Sequence, residues 1–255
     1  MGKLFDTHAH YTDEKLAGND ELLSSLFAGE VGRICTVAVD CDDAERCIAL
    51  ADRYPAMVAA VGVYPGQTMR AENLESDIAR LRELAKAPKV VAIGEIGLDH
   101  HYDEPDREVQ KSFFRAQMKL AEELSLPVVI HDREAHADVL TILKEFPHVR
   151  GIIHSYSGSA EMVPGFLACG YYLSFSGVVT FGNAEKTRRA AEAVPLDRLL
   201  VETDAPYLAP VPMRGQTNHS GYVRYTAEKI AQIKGVDYDT VARATFANAE
   251  AVFGL

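Results

Sequence analysis

The chain has 255 residues, 47% of them hydrophobic, which is enough apolar material for a large core and suits either one closed (β/α) barrel or two small domains. Its net charge of −11 excludes broad adhesion to nucleic acid or anionic membrane, because the mean field repels polyanions and only a local cationic site or bound metal ions reverse that sign. Four cysteines (Cys35, Cys41, Cys47, Cys169) without a CxxC pair exclude a disulfide scaffold and suit buried thiols in a reducing cytoplasm.

Short β-rich runs recur along the chain. In order they are KLFDTHAH, RICTVAV, MVAAVGV, KVVAIGEIGL, PVVIHD, RGIIHSY, YYLSFSG and RLLVETD. Amphipathic stretches separate them. The segment 104–125 is typical: Val109, Phe113, Phe114, Met118, Leu120, Ala121 and Leu124 form an apolar stripe among charges. Strands alternating with helices of this length pair in parallel through right-handed crossovers. Eight units in 255 residues average about 32 residues each, the usual allotment of an eight-stranded barrel. No linker or charge block divides the chain, and no strand leads into a GxGxxG or GxxxxGK loop, which argues against an open nucleotide-binding sheet. The expected fold is therefore α/β, a single (β/α)8 TIM-type barrel over residues 1–255, with a C-terminal helix around YDTVARATFANAEAVFG. The N-terminus has no apolar h-region and no run of about 18 apolar residues occurs, so a cytoplasmic protein without membrane contact is expected.

In such barrels chemistry collects at the C-terminal ends of the strands, where the loops surround the open mouth. The first run ends in His8 and His10, the fourth carries Glu95, the fifth ends in His131, the sixth carries His154, and the eighth ends in Asp204. Side chains alternate along a strand, so the HxH spacing aims both imidazoles one way, with Asp6 on the same face. HxH alone does not separate a ligand pair from ordinary histidines; six metal-capable residues at one end of five strands do. His100, His101, His136, His148 and His219 lie off these positions, with His136 and His219 near enough in sequence to line the mouth. Four imidazoles and two carboxylates suit one or two divalent ions, Zn, Mn, Co or Ni, with Mg compatible through the carboxylates. Glu95 is placed to bridge a pair of ions, and paired ions activate water for hydrolysis. Asp204 can orient that water and take its proton, which makes Asp204 and Glu95 the catalytic candidates. Glu202 and Asp6, two residues deeper, are expected to partner ligating histidines.

These residues sit within motifs that resemble the TatD family of metal-dependent hydrolases, in the amidohydrolase-like barrel superfamily. FDTHAH, GEIGLDHHYD, LPVVIHDREAHADVL, GIIHSYSGS and LLVETDAPYLAPVPMRG follow in the family's order, from residue 4 to about residue 250. The resemblance implies a TIM-type barrel holding divalent metals, hydrolysis of DNA as an endo- or 3′ to 5′ exodeoxyribonuclease, and His8, His10, Glu95, His131, His154 and Asp204 as metal ligands. Three stretches depart from the family pattern. GVYPG, with Tyr64 and Gly66, stands where GVHPH is frequent; RGQTNHSGYV places His219 and Ser220 where Glu and Pro are usual; and HSYSG replaces HCFSG. None falls on an expected ligand, so the departures bear on substrate choice.

Candidates for holding a phosphodiester are Arg133, just past His131, and Arg214, with Tyr207 and Asn218 nearby in sequence. No strip of basic and aromatic residues tracks a long single strand, which points to DNA ends or small phosphodiesters as substrate. A monomer or weak oligomer is expected, with no protein partner evident. The competing readings are a metal-dependent hydrolase of a small amide, lactone or ester, and a non-catalytic metal-binding module. Glu95 stands where many superfamily relatives carry a modified lysine, which leans against the former, and the complete ligand set leans against the latter.

Overall fold

All eight apolar runs form strands in the computed structural model, which describes residues 2–69 and 73–255. They are β1 (Leu4–Ala9), β2 (Val31–Val37), β3 (Met57–Val61), β4 (Val90–Asp99), β5 (Val128–Arg133), β6 (Gly151–Ile153), β7 (Tyr172–Phe175) and β8 (Leu199–Val201). Helices α1 (Asp20–Ala28), α2 (Cys41–Arg53), α3 (Leu74–Leu84), α4 (Arg107–Leu124), α5 (His136–Glu145), α6 (Val163–Ala168) and α7 (Glu185–Ala193) fill the successive crossovers, and α8 (Val223–Lys234) and α9 (Tyr238–Phe253) follow β8. Each strand pairs in parallel with the next, in the order β1 to β8. The ring closes through a short seam rather than a full ladder: Ala9 bridges Ala205, the His10 amide donates to the Ala205 carbonyl at 2.7 Å, and the Asp204 amide donates to the His8 carbonyl at 2.9 Å. This is the (β/α)8 barrel read from the sequence.

Alternation along the strands divides the core into two layers. Phe5, Cys35, Val58, Ala60, Val129, Ile152 and Leu200 come from six strands and form one buried cluster, the barrel interior. Their chain neighbours Leu4, Ile34, Met57, Val128, Ile153 and Leu199 belong to the other cluster, against the outer helices. α9 stoppers the interior layer with Val252 and Phe253, and the Phe5 ring lies 5.6 Å from Phe253 and 5.9 Å from Phe246. The apolar stopper at one end leaves the polar end of the barrel for chemistry.

Several strands stop short of their apolar runs, among them the two that lead to His154 and Asp204. β6 stops at Ile153 and β8 at Val201, so His154 and Asp204 lie just beyond the ladder. Ser155 and Asp204 adopt left-handed backbone (φ 41° and 57°), which no strand can continue. The expected helix over 104–125 begins at Arg107, because Asp106 caps it by accepting from the amides of Glu108 (2.9 Å) and Val109 (3.2 Å).

Local devices fix where the mouth-side strand ends sit. Gly97 on β4 pairs with His131 on β5, has φ 135°, and lies so close that a Cβ there would meet the His131 carbonyl oxygen at 2.1 Å. Gln110 and Gln117, one heptad apart on α4, are fully buried and act as clamps on backbone. Gln117 accepts from the Val63 amide at 2.7 Å and donates to the Val63 carbonyl at 3.1 Å. Gln110 does the same for Asp99, at 2.8 Å and 3.0 Å, and also donates to Pro105. Replacing Gln117 by Leu keeps the volume and strands both Val63 groups, so urea unfolding is expected to show a loss of about 2–4 kcal/mol. A loss under about 1 kcal/mol would mean that another partner reaches Val63.

Candidate metal centre

Glu95, on β4 and 3% exposed, has one carboxylate oxygen turned to each of two histidine pairs. Oε2 lies 3.5 Å from His8 Nε2 and 3.8 Å from His10 Nε2, which are 3.2 Å from each other. Oε1 lies 2.8 Å from His131 Nδ1 and 2.9 Å from His154 Nε2, themselves 3.1 Å apart. Asp204 Oδ1 joins the first pair, 3.5 Å from His10 and 3.7 Å from His8. Ligands at about 2.0–2.1 Å around a tetrahedral ion stand roughly 3.3 Å apart, so both groups have spacings that can hold a divalent cation. The four histidines, Glu95 and Asp204 thus form two adjoining groups that share Glu95.

The outer nitrogens of three rings are already occupied. His10 Nδ1 donates to the Val37 carbonyl at 2.9 Å, His154 Nδ1 to Glu202 Oε1 at 3.2 Å, and His131 Nε2 to Asp99 Oδ2 at 3.1 Å. A proton held on the outer nitrogen leaves the lone pair of the inner one facing the cluster, the arrangement a metal requires. Glu202 therefore takes the supporting place expected for it, and also accepts from the Ser155 amide at 2.8 Å. Asp6 does not. A register irregularity between Asp6 and Ala9 interrupts the alternation of β1, and the Asp6 carboxylate turns to Thr203, accepting from its amide at 2.9 Å and its hydroxyl at 2.6 Å. Burial, against hydrogen bonds from Ser220 and Thr203, pushes the Asp6 carboxyl up to about 7.

Electrostatics mark the cluster as built around positive charge. Burial pushes the Glu95 carboxyl up, but His154, His8 and His131 outweigh it and hold it well below the usual range. Burial pushes the His10 imidazole down, while Asp204 and Glu95 outweigh burial and lift it to about 9. His154 is raised by the same balance, with Glu95 and Glu202 prevailing over burial. Protons collect where the carboxylates call for a cation.

A cavity of about 740 Å³ opens above the cluster. His10, Glu95, His131, His154 and Asp204 line it, with Arg46, Tyr64, Tyr102, Arg133 and Tyr207 among its other residues. His8 is fully buried beneath. Of the residues expected to hold substrate, Arg133 and Tyr207 line this cavity, whereas Arg214 and Asn218 do not. Arg214 lies over the Phe181 ring at 4.2 Å and donates to the Ala209 carbonyl at 3.2 Å. Asn218 is buried, and its amide donates to the carbonyls of Thr203 (2.9 Å) and Tyr207 (2.6 Å), bracing the loop that carries Asp204. His136 and His219 are also outside the lining. His136 Nδ1 lies 2.8 Å from Asp132 Oδ2, and the His219 ring packs 3.9 Å from Tyr222.

One contributor escaped the sequence reading. Asp99 ends β4 four residues after Glu95, accepts from His131, and accepts from the Tyr64 hydroxyl at 3.0 Å; these contacts outweigh burial and lower its carboxyl to about 2. Its parity with Glu95 was the available signal. Tyr64 also sets its ring edge-on to His131 at 4.9 Å, so the departure from the family's histidine has a structural role here.

The model of a family described as TatD related DNase matches residues 5–254. The metal-dependent hydrolase YabD of Bacillus subtilis is 42% identical over 253 residues, spanning 98% of each chain. The metal-dependent hydrolase YcfH of Escherichia coli is 39% identical over 256 residues, spanning 98% of this chain and 95% of the relative. The solved structure of YjjV, a TatD homolog from Escherichia coli, superposes with a TM-score of 0.92 at 31% identity, covering 99% of this chain and 98% of the other. With the barrel, the His–Glu cluster and these likenesses over the whole length in agreement, the chain belongs to the TatD family of metal-dependent hydrolases.

Proposed function

We propose that the protein is a divalent-metal-dependent phosphodiesterase that hydrolyses DNA, acting at strand ends or on short diesters. The observation that carries this reading is Glu95, whose two oxygens each face a separate histidine pair beneath an open cavity that also holds Arg133. In it, His8, His10 and Asp204 would hold one ion and His131 and His154 a second, with Glu95 as a ligand available to both groups. Ions bound there would supply Lewis acidity toward the phosphoryl oxygens and toward the attacking water.

The chain's own groups do the rest. Asp204, its side chain 15% exposed where the other cluster carboxylate is nearly sealed, orients the water and takes its proton. The Arg133 guanidinium binds nonbridging oxygens of the diester. Asp99, Glu202 and the Val37 carbonyl keep the rings turned inward through the reaction. Water adds at phosphorus, one P–O ester bond breaks, and the products are a phosphomonoester and an alcohol.

The test is turnover of single-stranded DNA with a labelled 3′ end and of bis-p-nitrophenyl phosphate, with Mg, Mn, Co or Zn, beside a panel of lactones and amides. Hydrolysis of both diesters is expected. Failure on both together with turnover of a lactone or amide overturns the proposal. Asp204→Asn is expected to keep the fold and most of the bound metal while lowering kcat by about 10²–10⁴-fold, since an amide cannot accept the proton. Near-wild-type turnover in that variant would reduce Asp204 to a structural turn residue.

Metal affinity should also depend on pH with a definite sign. His10 is lifted to about 9 in the metal-free protein, so below that pH an ion must displace its proton. Affinity is therefore expected to rise with pH from 6 towards 9, by roughly tenfold per pH unit for each proton displaced, with proton release visible by calorimetry in buffers of different ionisation enthalpy. An affinity independent of pH over this range would contradict the assignment of His10 as a ligand.

A further inference from the structure

Few large apolar side chains stand exposed among the described residues, and two of them line the cavity: Tyr102 is 56% exposed and Tyr207 46%. They belong to different walls. Tyr102 lies in the loop between β4 and α4, Tyr207 in the loop between β8 and α8. In a ring ordered β1 to β8, strands four and eight are diametrically opposed, so the two rings stand on opposite sides of the mouth with the His–Glu cluster between them.

The Tyr207 ring is held at its hydroxyl, and a cation lies over each ring. The Tyr207 hydroxyl donates to Asp13 at 2.7 Å, so it is not free to donate to a phosphate; what Tyr207 exposes is ring surface. Lys15 Nζ lies 5.3 Å from the Tyr207 ring centre. On the other wall the Arg133 guanidinium lies 5.3 Å from the Tyr102 ring centre, and His101 packs edge-on against that ring at 4.9 Å. An exposed aromatic ring with a cation over it is the pairing that binds a nucleobase and its phosphate together.

We infer that Tyr102 and Tyr207 are opposed base-stacking plates that seat the two nucleosides flanking the scissile phosphate, making the mouth a subsite for one dinucleotide step of a single strand. The inference rests on the phosphodiesterase reading above and adds to it the residues that recognise the bases. Stacking uses the π-face every base has, so recognition is indifferent to sequence. It requires unpaired bases, so duplex ends must fray before they enter. Two plates serve one step, which agrees with a chain that carries no longer aromatic track.

The test compares kcat/KM on a single-stranded dinucleotide with that on the same dinucleotide lacking both bases. Wild type is expected to prefer the base-bearing substrate. Tyr102→Ala and Tyr207→Ala are each expected to shrink that preference by roughly 5- to 100-fold, the loss of one base–aromatic stack, while Tyr102→Phe and Tyr207→Phe keep it. A wild type without the preference, or alanine variants that retain it in full, overturns the inference. Calorimetric binding of a dinucleoside methylphosphonate, which is not turned over, reads the plates separately from hydrolysis. Affinity should fall in both alanine variants and persist in the phenylalanine ones; absent binding by wild type, or equal affinity in the alanine variants, overturns the inference. Binding that depends on the tyrosines without hydrolysis of any diester would instead overturn the phosphodiesterase reading and leave the plates standing.

Discussion

A carboxylate at 3% exposure is a heavy constraint on a fold, and the mouth of this barrel is organised around the one at Glu95. Removing an unpaired anion from water costs several kcal/mol even after relaxation. Four imidazoles lie within 3.8 Å; His10, His131 and His154, all shifted towards the protonated form, offset that cost in the metal-free protein, and a cation can take the protons' place. The arrangement succeeds only if every ring faces inward. Hence the outer nitrogens of His10, His131 and His154 have acceptors of their own, and removal of any of these would free a ring to turn away.

The β1–β8 seam meets the same demand on the other side of the cluster. The backbone bonds that close the barrel run from Asp204 to His8 and from His10 to Ala205, so closure of the fold and placement of the site are one event. The left-handed backbone at Asp204 is held from both directions. Asp6 takes the amide and hydroxyl of Thr203 on one side, and Asn218 braces Thr203 and Tyr207 on the other. A conformation that would otherwise be unfavourable is thus stable because several buried hydrogen bonds over-determine it. The seam also explains why His8, His10 and Asp204, at and just past the ends of β1 and β8, come within 3.7 Å of one another although nearly 200 residues separate Asp204 from the histidines in the chain.

At the far end the barrel is filled by Phe5, Val58, Val129 and their neighbours and closed by α9. Apolar packing there supplies stability that does not depend on the mouth. The mouth can therefore carry groups that packing does not require, such as Arg133 at the end of β5 or the exposed rings of Tyr102 and Tyr207 in the loops, whose exposure contributes nothing to folding.

Periodicity alone determined the architecture, because burying one face of a strand and one stripe of a helix leaves a repeating pattern that needs no long-range information. All eight strands and the terminal helix were legible in that way, and the strand-end rule singles out His8, His10, Glu95, His131, His154 and Asp204 from the sequence alone. Tertiary structure decided what lies off the ladder or across it. Asp6 left the histidines because a register irregularity broke the alternation on which its expected place depended. Asn218 became a brace and Arg214 a stacking partner of Phe181, because loops after β8 have no period to read. Asp99 joined His131 because Gly97 lets β4 and β5 approach closely, and Tyr102 met the cavity opposite Tyr207 because the ring sets strand four across from strand eight. Local burial is written residue by residue in a sequence; which side chains meet across a closed barrel is fixed only when the seam forms.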